Sequence, residues 1–192
     1  MIPRFSFIVL LLIAFAVTAK AELTNSHPPA VVITNSVPST NSTTSADGDP
    51  VAPELYARSV RGQHAPKFEI DQWFGPAPSL QGKFVLVDFW ATWCVGCRQS
   101  IPELNDFQKK FKDRLVIVGI TDETAEQVHK TTLPHIQYSI ASDPDERMMR
   151  ALEIQALPHS ILIDPSGVVR YEGSPLYLDD KKLLYFLDKY SK

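Results

Sequence analysis

The sequence predicts one α/β domain in which helices flank a central sheet of four to five strands. Two apolar segments, residues 83–90 and 115–120, are rich in β-branched and aromatic residues, as expected of strands that are buried on both faces. Between them, Ile101, Leu104 and Phe107 recur at helical spacing. A strand, a helix and a strand in this order form a right-handed crossover, so the two strands should be parallel.

The rest of the domain continues this alternation. Two further helices are predicted at residues 123–131 and 144–152. A pair of strands is predicted at residues 159–163 and 168–171, and a last helix at 179–190. The pair should form an antiparallel hairpin, because residues 164–167 read Asp-Pro-Ser-Gly, which is typical of a turn. The sheet is therefore predicted to be mixed. The last helix is amphipathic, with Leu183 and Phe186 on its apolar face.

Two segments precede this domain. Residues 1–21 combine Arg4, an apolar run over 5–17 and an Ala-Lys-Ala sequence, which predicts a secretory signal peptide cleaved after Ala21. The alternative is an uncleaved anchor, but this run is shorter than the ~20 apolar residues that span a bilayer. Residues 22–53 are rich in Ser, Thr, Asn and Pro and predict a disordered linker, which leaves 54–192 as the folded domain. We therefore expect an extracytoplasmic protein, in the bacterial periplasm.

The composition excludes several partner classes. The formal net charge is −3, from 19 Lys and Arg against 22 Asp and Glu, with no block of like charge. Such a chain lacks the basic surface that binds nucleic acid or anionic lipid. Two cysteines and five histidines without a metal-ligand spacing give no zinc motif, and we expect neither a metal nor an organic cofactor.

The two cysteines, Cys94 and Cys97, lie where the first strand passes into its helix. Free backbone N–H groups and the positive end of the helix dipole stabilise a thiolate there, which lowers the pKa of the thiol. Cys94 is the predicted nucleophile and Cys97, one turn further along, the resolving thiol. A zinc site and a purely structural disulfide are the alternatives, although a disulfide that closes so short a loop restrains the unfolded chain little.

One carboxylate lies inside the first apolar strand. Asp88 should have a raised pKa, because burial disfavours the charged form and no Lys or Arg occurs between Leu115 and Thr121 on the neighbouring strand. The alternative is an aspartate that only accepts hydrogen bonds from nearby backbone.

Residues 88–98, Asp-Phe-Trp-Ala-Thr-Trp-Cys-Val-Gly-Cys-Arg, resemble the signature of the thioredoxin superfamily and in particular of the TlpA/ResA-like extracytoplasmic thiol-disulfide oxidoreductases. Residues 65–68, 80–83 and 157–159 resemble further segments of that family, and Pro102 stands where its helix carries a proline. The resemblance covers nearly all of residues 65–192. It implies a thioredoxin fold.

The resemblance also implies roles for particular residues. Asp88 would exchange a proton with the buried cysteine, and Leu157-Pro158 would form a cis-proline loop whose backbone pairs with an extended substrate. Trp93, Leu157 and His159 would contact that substrate. Glu123 matches a functional glutamate, although it could equally be a first-turn helix acid, and His159 could be an ordinary loop residue.

The expected function is exchange or reduction of disulfides in extracytoplasmic client proteins, with a membrane dithiol as electron donor if the protein reduces. Two departures from the family pattern limit this expectation. Ser100 stands where many relatives have a glutamate, which puts any role of that acid in partner choice in doubt. Val95-Gly96 lacks the proline that is common there, which leaves the direction of the reaction open. A peroxiredoxin-type thiol peroxidase and a non-catalytic thioredoxin-like binding module are the alternatives. The sequence before Cys94 has neither a proline nor a threonine in the register that is typical of peroxiredoxins.

Overall fold

The computed structural model describes residues 44–131 and 134–191. The strands are β1 (Gln72–Trp73), β2 (Phe84–Phe89), β3 (Leu115–Thr121), β4 (Ser139–Ser142), β5 (His159–Ile163) and β6 (Val169–Gly173). The helices are α1 (Val95–Lys110), α2 (Ala125–Lys130), α3 (Arg147–Ala151) and α4 (Asp180–Lys189), with a 3-10 turn at Pro175–Tyr177. The predicted signal peptide and the predicted linker as far as residue 43 lie outside the described residues.

The six strands form one mixed sheet in the order β1-β4-β3-β2-β5-β6. β2 lies in its interior, parallel to β3 and antiparallel to β5, as its apolar sequence predicts. The expectation of four to five strands was too low. It missed β1, which has two residues, and β4, which has four, because elements this short carry too few alternations for a periodic signal.

The predicted helices are present, and α2, α3 and α4 are shorter than their predicted bounds. α2 begins at Ala125 rather than at residue 123, because Thr124 caps it: the Thr124 side chain accepts the Gln127 backbone N–H, and the Gln127 side chain accepts the Thr124 backbone N–H. α3 covers Arg147–Ala151 within the predicted 144–152. The cap leaves Glu123 outside the helix.

Each face of the sheet carries its own apolar core. Phe84 and Leu86 of β2 pack with Phe107 of α1 and Phe186 of α4 on one face, and Val85, Val87 and Phe89 lie in a second cluster with Met148 of α3. Because side chains alternate along a strand, Asp88 lies on the α1 face.

Residues 44–53, which the composition assigned to the linker, contact the folded domain. The Asp49 carboxylate is 2% exposed and accepts hydrogen bonds from Lys189 Nζ at 2.6 Å and Tyr190 Oη at 2.7 Å. Ala52 packs so closely on Gly173 that a Cβ on that glycine would clash with the Ala52 Cβ. The ordered chain therefore begins before the predicted boundary at 53/54, since composition does not reveal the partner of a single buried acid.

Candidate active site

Cys94 and Cys97 form a disulfide with an S–S distance of 2.03 Å at the first turn of α1. Cys94 is the N-cap residue, and its Sγ accepts the backbone N–H of Cys97 at 3.1 Å. The first turn of the helix contains no acidic side chain. Cys94 is 4% exposed and Cys97 is fully buried. On reduction, the same N–H and the helix dipole would stabilise a thiolate on Cys94.

The loop before Cys94 is fixed to the end of β3. The Glu123 carboxylate accepts the backbone N–H of Thr92 at 2.6 Å and the Thr92 hydroxyl at 2.5 Å. Arg98 of α1 donates to the Thr92 carbonyl from its Nε at 2.7 Å. Glu123 therefore does not lie in the first turn of α2, where Glu126 is the acidic residue, and that interpretation was wrong. Its contacts tie the loop before Cys94 to the end of β3.

Asp88 lies on β2 and is fully buried. Its Oδ1 accepts a hydrogen bond from Ser160 Oγ on β5 at 2.9 Å, and its Oδ2 has no partner among the described residues. Burial raises the pKa of Asp88 from 3.8 to about 7, and the Ser160 hydrogen bond offsets only part of that rise. The carboxyl group can therefore exchange a proton near neutral pH.

The Leu157–Pro158 peptide bond is cis in the structure. Its loop contacts the first turn of α1, since a Cβ on Gly96 would lie 3.0 Å from Pro158 Cδ and 3.8 Å from Leu176 Cδ1. Leu157 and Pro158 also line a cleft of about 180 Å³ together with Tyr56 and Tyr177. The structure thus brings the loop and the cysteine turn together.

His159 is not a loop residue, because it is the first residue of β5 and is buried. It pairs in register with Phe89, and their ring centroids are 6.2 Å apart. Its side chain therefore lies on the face of the sheet opposite Asp88. Burial lowers the pKa of His159 to about 4, so the imidazole is neutral at neutral pH.

Apolar side chains surround the cysteine turn at the surface. Trp93 and Val95 are each 67% exposed, and Leu176 and Tyr177 of the 3-10 turn are also exposed. Trp93 was expected here from the family resemblance, whereas the 3-10 turn was not predicted, because it lies far along the chain and carries no motif. Exposed apolar groups around a reactive pair are typical of a protein-binding surface.

Several known proteins are similar to this chain. The AhpC/TSA family model matches residues 61–172. Thioredoxin-like protein YneN of Bacillus subtilis is 33% identical over 116 residues, which cover 57% of this chain and 68% of YneN. Thiol-disulfide oxidoreductase ResA of the same organism is 31% identical over 114 residues, which cover 56% of this chain and 64% of ResA.

A solved structure agrees with these matches. The thioredoxin domain of a thiol-disulfide oxidoreductase from Bacteroides vulgatus has a TM-score of 0.54 and 26% identity, over 69% of this chain and 98% of that domain. The fold and the cysteine pair thus define a thioredoxin-like thiol-disulfide oxidoreductase. The chain belongs to the AhpC/TSA family. It spans about two thirds of the length of the curated relatives named above.

Residues 44–131 and 134–191 contain neither a candidate metal site nor a candidate membrane-spanning helix. No group of three or more His, Cys, Asp or Glu in those ranges could hold a metal ion. No helix in them is long and apolar enough to cross a bilayer.

Proposed function

We propose that this protein reduces or exchanges disulfides in extracytoplasmic client proteins by cycling Cys94 and Cys97 between dithiol and disulfide. The observation that supports this most is the position of the pair: Cys94 caps α1 and Cys97 is buried behind it, on the helix that covers the Asp88 face of the sheet. The N-terminal segment with the features of a signal peptide supports the location.

The two thiols take different steps. The Cys94 thiolate attacks one sulfur of a client disulfide and forms a mixed disulfide, while the other client sulfur leaves as a thiolate. Cys97 then gives its proton to the Asp88 carboxylate and attacks Cys94 Sγ. This step closes the Cys94–Cys97 disulfide and releases the second client thiolate, so two electrons have passed to the client. An external dithiol, for which we propose a membrane protein, must then reduce the pair again.

The client is proposed to bind as an extended segment. Leu157 lines the cleft beside Pro158, and we propose that a peptide pairs there with the Leu157 backbone as an added strand. Trp93 stands exposed beside the cysteines and would pack against that segment. His159 would stay neutral beneath this surface and take no direct part in proton transfer.

Trapping tests the order of the two thiols. Cys97→Ser should accumulate mixed disulfides with client proteins, because the intermediate can form and cannot be resolved. Cys94→Ser is the matched control and should accumulate none, because Cys97 is buried. Equal trapping by both variants contradicts the order, and the absence of trapping together with an inert disulfide would indicate a binding module. Rapid consumption of hydrogen peroxide by the reduced protein would instead favour a thiol peroxidase.

A further inference from the structure

Asp88, the proposed proton acceptor, is buried, and no cation pairs with it among the described residues. No charged side chain among the described residues contributes to its pKa, whose causes are burial and the Ser160 hydroxyl. A carboxyl group in such a site needs hydrogen-bond donors to stabilise its charged form, which is the form that acts as a base. Ser160 supplies one donor, to Oδ1. Oδ2 has no donor among the described residues, and the other strand that adjoins β2 is β3.

Two donors lie on that side, and both lack a partner. In the described residues three buried side-chain atoms have no hydrogen-bond partner: Asp88 Oδ2, Trp90 Nε1 and Tyr138 Oη. Asp88 pairs in register with Gly119 of β3. A Cβ on Gly119 would lie 2.9 Å from Trp90 Nε1 and 3.1 Å from Tyr138 Cε2. The three side chains therefore converge on Gly119, because neighbouring strands are only about 4.8 Å apart.

The same group is connected to the cysteines. Trp90 packs in one cluster with Cys94 and Cys97, and Tyr138 packs in the core on the α1 face. Tyr138 also lines a cavity of about 830 Å³, together with Phe74 and Ile140. Gly119 permits this arrangement, since a side chain there would displace both aromatic rings. An acceptor and two donors that are buried together and unpaired are the surroundings in which a protein holds an internal water, which makes about three hydrogen bonds.

We propose that Asp88 Oδ2, Trp90 Nε1 and Tyr138 Oη bind one water molecule in common, and that Trp90 and Tyr138 are positioning residues that favour the carboxylate form of Asp88 through it. The water accepts from the indole N–H and the phenol O–H and donates one hydrogen to Oδ2, so all three atoms are satisfied. Burial holds the pKa of Tyr138 well above 10, so its hydroxyl keeps the proton that it donates.

The test measures Asp88 itself, since this inference rests on its proposed role as a base. The protonation of Asp88 can be followed against pH by its carboxylic acid infrared band, assigned with Asp88→Asn. The groups that these contacts place around it are uncharged: Ser160 from β5, Tyr138 beside β4 and the Trp90 indole, while Cys97 of α1, the helix that covers the same face, is held in the disulfide. Tyr138→Phe and Trp90→Phe should each raise its proton affinity by up to about tenfold, because each removes one of the two hydrogen bonds that hold the shared water against the carboxylate.

A matched control separates this effect from general loosening of the core. Tyr171 is also buried, and its hydroxyl donates to the Ser174 carbonyl at 2.8 Å, so Tyr171→Phe should leave the titration of Asp88 unchanged. An unchanged titration in both Tyr138→Phe and Trp90→Phe overturns the inference. If Tyr138→Phe does not fold, Trp90→Phe and a high-resolution crystal structure decide, since the shared water should lie about 2.7–3.2 Å from all three atoms.

The role of Asp88 as the base and the shared water can be refuted independently of each other. If Asp88→Asn resolves a mixed disulfide at the wild-type rate, Asp88 is not the base, whatever its titration shows. If Asp88→Asn resolves the mixed disulfide slowly and the titration of Asp88 is unchanged in both aromatic variants, Asp88 keeps its role as the base and the shared water is refuted.

Discussion

Replacing the buried Asp88 with asparagine should stabilise the fold in a pH-dependent way. The pKa of Asp88 rises from 3.8 to about 7 on folding. In the wild type this group therefore disfavours folding above its unfolded pKa, by an amount that grows between about pH 4 and pH 7 and then levels off. Three pKa units correspond to about 4 kcal/mol at the plateau. Asparagine removes that penalty and keeps an oxygen that can accept from Ser160 Oγ.

The measurement is the free energy of unfolding from denaturant melts of wild type and Asp88→Asn at pH 4 and pH 8. The advantage of the variant should be larger at pH 8 by about 4 kcal/mol. A pH-independent cost of burying the amide cancels in that difference. Asp188→Asn is the control, because Asp188 is exposed in an ion pair with Arg114 at 2.9 Å, and such pairs contribute about 0–1 kcal/mol. An advantage that is equal at the two pH values refutes the raised pKa.

The same variant should lose activity. Cys97 must give up a proton before it attacks the mixed disulfide, and an amide cannot accept that proton. Stopped-flow measurement of the resolving step should show slowing on the order of 10²-fold, the lower end for general base catalysis. A variant that is more stable and slower would show that the buried charge serves the reaction at the expense of the fold. An unchanged rate from pH 6 to pH 8 would leave Asp88 without a role in proton transfer.

Three further predictions concern contacts around the site and the N-terminal segment. Glu123→Ala should lower the free energy of unfolding by about 1–3 kcal/mol, because the Thr92 N–H and hydroxyl lose their acceptor, whereas the exposed Glu126→Ala should cost less than about 0.5 kcal/mol in the same melts. Asp49→Ala should cost a similar 1–3 kcal/mol, compared with Asp188→Ala as the control, and equal effects of the two variants would contradict the docking of residues 44–53. His159 should remain neutral in NMR titrations down to about pH 4. Because the pKa of His159 is lowered on folding, its contribution to the free energy of unfolding should be lost as the pH falls from about 6.5 toward 4. A measured pKa near 6.5 would mean that the side chain is in solvent.

Much of the fold could be predicted from the sequence because its signals are local. The interior strand β2 and its neighbour β3 are continuous apolar segments, and the helix between them has its own period. The cysteine pair therefore had a predictable place, at the end of a strand and the start of a helix. The burial of Asp88 followed from the same apolar segment. Short strands such as β1 and β4 gave no periodic signal, so the size of the sheet did not follow.

The tertiary structure decided which residues meet across the chain. Asp88 meets Ser160 because β2 and β5 pair in one register, and Thr92 meets Glu123 because β3 ends beside the cysteine loop. Tyr138 approaches Gly119 only once β4 has joined the sheet. The sequence by itself determined the reactive pair and its strand-turn-helix setting, since both depend on neighbours along the chain. The hydrogen-bond partners that tune the pair depend on strand register and packing, which no local pattern encodes.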